Sequence, residues 1–173
     1  MEGNILFCKT SFELEKLKIN KSDTNIYHLT DILTSINLKC DLNNNNKYKQ
    51  LIEKDLLSYI FSDSSIYLIA QRCQKKPFNS IIKLNEIIYK NIEKCLLVFE
   101  KVIPTTILYH YYPHDLDHYI IYLIGIYQNC KQMMFMPSLP YAASMFDISE
   151  KGKFKFCDIN NLKININNIS HEK

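Results

Sequence analysis

Glycine is scarce in this 173-residue chain, occurring only at Gly3, Gly125 and Gly152. A backbone that wraps a pyrophosphate needs closely spaced glycines at a helix start, so neither a G-x-G-x-x-G nor a G-x-x-x-x-G-K-[ST] loop exists here. Nucleotide-binding folds built on those loops are therefore not expected. The G-x-S-x-G elbow of hydrolases and the H-E-x-x-H zinc helix are missing as well.

Tryptophan is absent, and arginine is reduced to Arg72 against 20 Lys, beside 25 Ile and 17 Asn. Ile, Lys, Asn, Tyr and Phe are the residues of AT-rich codons, so this skew records genome composition. Lysine abundance is then weak grounds for nucleic-acid binding, which usually gathers Lys and Arg on one face. The net charge is only +3. It is spread as −1 over residues 1–46, +4 over 47–101, −3 over 102–150 and +3 over 151–173.

Long apolar runs are missing too. The longest stretch free of charge, proline, histidine and amide side chains covers 119–127, about half of the roughly 18 residues of a membrane span. The first ten residues hold a Glu and four apolar residues at 5–8, which is not a signal peptide. The expected location is the cytoplasm, with the nucleus as the other reducing option, and not the secretory route. The six cysteines (Cys8, Cys40, Cys73, Cys95, Cys130 and Cys157) form no C-x-x-C pair, so neither a zinc ribbon nor a thioredoxin-like site is predicted. Reduced cysteines of this kind are mostly small buried apolar groups, Cys95 above all.

What is present is ordinary globular composition, with 47% hydrophobic and 23% charged residues. The length fits a single globular domain, 1–173, able to bury a core without metal or disulfide staples. Residues 4–9 and 12–19 read as two short strands. Residues 25–39 read as a helix with Leu29, Ile32, Leu33 and Ile36 on one stripe, ending in an Asn-rich loop at 41–46. A second helix is predicted over 47–61, a third over 66–76 capped within 62–65, and a long fourth over 80–103 that Pro104 stops. After an apolar piece at 105–112, Asp115 or Asp117 caps a helix running to about Met134. Its 119–127 portion is apolar all round and suits a strand by composition, but its length favours helix. The reading then gives an apolar loop at 133–136, a loop or helical turn at 141–148, and a hairpin over 153–167. The expected fold class is α+β: a mainly helical core with a small antiparallel sheet formed by the N-terminal strands and the C-terminal hairpin.

One segment concentrates chemistry, residues 110–118. His110, His114 and His118 recur four apart, the interval that stacks imidazoles on one helical face, with Asp115 and Asp117 as oxygen ligands or ring orienters. A metal site on the three histidines, or a catalytic set of His114, Asp117 and His118, is one candidate. Pro113 opposes it by disfavouring helix at Tyr112, and the plain alternative is a loop with an Asp cap. Arg72, Lys75 and Lys76, with Lys151, Lys153 and Lys155, are the candidate nucleic-acid contacts. There too the alternation with Phe154 and Phe156 is the ordinary pattern of a half-buried strand.

Missing catalytic fingerprints, no implied cofactor and many Tyr, Met and Phe anchors point instead to a non-enzymatic protein-interaction module, a subunit of an assembly or an adaptor. Its partner is expected to be another protein chain, with nucleic acid as the alternative and no membrane span. The apolar, proline-bearing stretch holding Met133, Met134, Phe135, Met136, Leu139 and Tyr141 is the candidate interface.

Overall fold

The computed structural model describes residues 3–8, 24–39, 54–73, 80–138 and 142–157. The chain runs β1 (Gly3–Cys8), β2 (Thr24–His28), α1 (Leu29–Lys39), α2 (Lys54–Phe61), α3 (Ser64–Arg72), α4 (Ile81–Val102), β3 (Thr106–Tyr109), α5 (Leu116–Tyr127), β4 (Lys131–Ser138), β5 (Ala142–Asp147) and β6 (Lys155–Cys157). Six strands form one sheet in the order β2-β1-β3-β4-β5-β6. The first four are parallel, and β5 and β6 add to them antiparallel.

The fold is α+β, but its sheet corrects the expected one. It is neither small nor purely antiparallel, and its central strands β3 and β4 come from the middle of the chain. Residues 25–28, expected in a helix, form β2, and the helix starts at Leu29. The stretches expected as loops at 133–136 and 141–148 are largely β4 and β5. The strand expected at 12–19, the Asn-rich loop, and the second arm of the C-terminal hairpin lie outside the described residues.

Period-two burial explains the strands. Leu6, Cys8, Ile107, Tyr109 and Met134 face one side and join the main core, while Ile5, Phe7, Leu108, Met133 and Met145 form a second cluster on the other. Crossovers that travel the same way across a sheet fall on the same face when both are right-handed. Those from β2 to β3 and from β3 to β4 do travel together, and their helices share one core. α1 lies against β1 and β2, α5 against β4, and α4 bridges α1 and α5. The small helices α2 and α3 pack on α5, and α3 on α4.

α4 is the helix its spacing predicts. Leu84, Ile88, Ile92, Cys95, Val98, Phe99 and Val102 form its buried stripe. Ile103 closes it in the left-handed region at φ 47°, its N–H bonding to the Phe99 carbonyl 2.8 Å away. α5 ends earlier than its apolar sequence suggests. Asn129 takes φ 56°, its N–H donates to Ile126 O and that of Cys130 to Gly125 O, a left-handed stop that turns the chain into β4. Eight of its twelve residues are buried, because it lies between the sheet and α2, α3 and α4. Gly125 makes that fit possible: a Cβ there would lie 2.7 Å from Ile107 Cδ1 and 2.9 Å from Gln132 Cδ. Beneath the helix, the buried Gln132 accepts from Tyr109 OH at 2.8 Å and donates to Tyr122 O at 3.0 Å. Among the described residues no helix is long and apolar enough to cross a membrane.

Candidate functional site

Three places bring polar chemistry together, and they differ in what they leave unfilled. The first is the carboxyl edge of the sheet. The chain leaves β1 toward β2 and returns across β1 to reach β3, so β1 and β3 are adjacent strands where the order reverses. In parallel sheets this edge is where ligands bind. β3 delivers His110–Asp115 directly to it, ahead of α5.

The histidines separate there. His110 is buried, its ring edge-on to Tyr111 at 4.1 Å and tilted against Phe135 at 6.1 Å. His114 is exposed, and its Nδ1 lies 3.0 Å from the Tyr112 carbonyl, to which it donates when that nitrogen is protonated. Asp115 occupies the N-cap position of α5 without a side-chain capping bond. Its carboxylate stands between two imidazoles instead, 3.9 Å from His114 Nε2 and 3.7 Å from His118 Nδ1. Asp117 is half-buried two residues along, in the first turn of α5, and burial raises its carboxyl above the usual range against the opposing pull of Lys94. Among the described residues no group of three or more His, Cys, Asp or Glu side chains is placed to hold a metal ion.

The second place was not legible in the sequence. Asp63 caps α3, accepting from Ser65 N at 2.9 Å on Oδ1, and from Tyr119 OH at 2.8 Å and Lys151 Nζ at 2.7 Å on Oδ2. Burial pushes its carboxyl pKa up, but the bonds from Lys151, Tyr119 and Ser65 outweigh that and hold it below the ordinary value. Aromatic rings surround the pair: Tyr122 contacts Tyr112 and Tyr119, Tyr112 contacts Phe154, and Lys151 lies 5.9 Å from the Tyr59 centroid. Every polar atom of Asp63 is thus engaged within the chain, which marks a structural clasp. No family model, curated protein or solved structure matches this chain.

The third place is a groove of about 540 Å3 on the outer side of α4, lined by Phe61, Ile82, Asn85, Glu86, Tyr89, Lys90 and Glu93. Its apolar parts are Phe61, Tyr89 and Ile82, the last 67% exposed beside an Ile81 that is 61% exposed. Asn85 Oδ1 is buried and has no hydrogen-bond partner among the described residues. The sequence did carry a signal for this surface: Ile82 and Tyr89 fall beside the Leu84, Ile88 and Ile92 stripe of α4 and widen its apolar face beyond what the core covers.

The residues singled out from sequence distribute unevenly. Met133 and Met134 are buried core of β4, Phe135 is half-buried and Met136 is 44% exposed. Leu139 and Tyr141 lie outside the described residues. Arg72 and Lys155 are exposed, Lys151 pairs with Asp63 and Lys153 with Glu150, and Lys75 and Lys76 are outside the described residues. Cys8, Cys95 and Cys130 are buried, and burial raises all three thiols away from reactivity.

Proposed function

We propose that the chain is a protein-interaction module, a subunit of an assembly or an adaptor, and that it docks its partner in the α4 groove. The observation that carries this reading is the gathering of Ile82, 67% exposed, with Phe61 and Tyr89 in one concavity. Exposed apolar surface is unfavourable in water and is relieved by burial under a chain that brings apolar side chains. The charged groups Glu86, Lys90 and Glu93 form the polar rim expected around such a patch.

Oxidative footprinting tests it. In the protein prepared at its endogenous level, Tyr89 and Phe61 should react more slowly than in the chain stripped of partners, while Tyr111 and Phe156 react equally in both. Equal reactivity of Tyr89 and Phe61 in the two preparations would count against the groove.

A second reading, a metal-dependent enzyme using the His and Asp segment 110–118, draws on its position at the reversal of the strand order, although among the described residues no three such side chains are placed to hold a metal ion. It is the weaker one, because metal sites draw on three or four protein ligands held in closer geometry.

A further inference from the structure

The Asp63 clasp has two parts of unequal standing. Its walls belong to the helical layer: Asp63 from the turn between α2 and α3, Tyr59 from α2, and Tyr119 and Tyr122 from α5. Its cation comes from outside that layer, on the turn between β5 and β6, where residues 150–156 are all exposed. That turn closes on itself: Lys153 N–H donates to Glu150 O at 3.0 Å, the two side chains pair, and Gly152 takes φ 75° with open space around it. Among the described residues it is held to the body by the Lys151 ammonium, by the Gly152 amide facing the Tyr122 hydroxyl, and by the Phe154 ring, itself 54% exposed, against Tyr112.

What the turn inserts is an alkylammonium, and the walls suit that group. Asp63 Oδ2 meets the charge at 2.7 Å, and the Tyr119 hydroxyl bonds to the same oxygen and fixes it. The Tyr59 ring lies 5.9 Å from Nζ, within the range at which a cation is drawn to an aromatic face. Asp63 is 4% exposed, and burial works against its ionisation, so without a cation its charge is left desolvated with a hydroxyl and an amide as its donors. The demand for a cation is built into the walls, while Lys151, 44% exposed, meets that demand from the solvent side.

We propose that Asp63, Tyr59 and Tyr119 form a recognition site for a primary alkylammonium, and that Lys151 is its built-in occupant, a plug that an external ammonium displaces together with the turn. A group tethered this closely competes at an effective concentration of about millimolar. The site therefore opens to a ligand that is abundant or that gains further contacts, and the rings of Tyr112 and Tyr122, which the turn touches, supply such contacts once it lifts.

Titration of the full chain with n-butylammonium tests it. In Lys151→Ala, which lacks the plug, the amine should raise the urea midpoint saturably beyond sodium chloride at equal ionic strength, and should bind about tenfold or more tightly than to the wild type. In the Lys151→Ala, Asp63→Asn double variant the effect should vanish. No saturable rise in Lys151→Ala, or an equal rise in the double variant, would overturn the proposal. The wild type adds a test that needs no variant. There n-butylammonium should speed amide exchange at Gly152 and leave Leu123 and Ile124 of α5 unchanged, and a Gly152 amide indifferent to it at about 0.1 M, well above the effective concentration of the tether, would overturn the plug. A peptide with a single lysine that binds Lys151→Ala more tightly than n-butylammonium does would assign the ammonium to a polypeptide, and equal or weaker binding would assign it to a free amine.

Discussion

The ammonium of Lys151 stands 2.7 Å from Oδ2 of Asp63, a carboxylate only 4% exposed, and this contact pins the loop after β5 to the turn between α2 and α3. Tyr119 from α5 bonds to the same oxygen, so three separate parts of the chain meet on one carboxylate. Replacing Lys151 by Met should cost about 1–2 kcal/mol, the worth of a charge-assisted bond reduced by the exposure of the lysine.

The same clasp predicts a pH dependence. The folded carboxyl titrates below its ordinary value, so the unfolded chain takes up the proton first as pH falls. Stability from Asp63 is fully present above the unfolded value, about pH 4, and is lost as pH falls through the folded value. Urea unfolding at pH 6, 4 and 3 should show wild type and Asp63→Asn converging as the pH drops. A gap between them that stays constant across that range would exclude the clasp as its source.

Gly125 separates α5 from the sheet. An alanine there must push aside Ile107 Cδ1 and the Gln132 side chain, and Gln132 is held at both ends by Tyr109 and Tyr122. Gly125→Ala should therefore destabilise by about 1–3 kcal/mol, despite the better helix propensity of alanine. Thermal or urea unfolding reads this directly, and an unchanged or raised stability would show that the sheet can yield.

Ile103 is a β-branched residue held at φ 47°, in a region that favours glycine, and its side chain is 72% exposed. Ile103→Gly removes the strain and little packing. It should stabilise the fold by about 1 kcal/mol.

Much of the helical layer was legible because its information is local. The stripe from Ile81 to Phe99 predicts α4, although Ile81 itself is exposed, Pro104 predicts its end, and a cap at Asp115 or Asp117 the start of α5, which Asp115 takes. The sheet was less legible because parallel pairing joins segments far apart in sequence, as with Phe7 and Leu108. β2 spans too few residues to show a period, and it runs without a turn into α1. β4 resisted because Met133 and Met134 are both buried, one on each face, and a strand covered on both sides loses alternation. The His and Asp segment was visible as composition, while its burial differences were not: His110 turns inward at the strand end and His114 outward. Asp63 was legible only as a cap within 62–65, and its bonds to Tyr119 and Lys151 were not, since those partners lie 56 and 88 residues away.

The arrangement around Asp115 bears on metal binding. Zinc added to the chain should bind no more tightly than to the His114→Ala, His118→Ala double variant in calorimetric titration. A one-to-one site lost in that variant would revive the metal-dependent reading.

Native mass spectrometry of the chain at its endogenous level, compared with Ile82→Glu, tests the central claim most directly. The account predicts a stoichiometric complex with a protein partner for the wild type and a bare monomer for the variant, because a carboxylate at the exposed edge of the groove cannot be buried unpaired. A bare wild-type monomer, or a complex that survives Ile82→Glu intact, would contradict it.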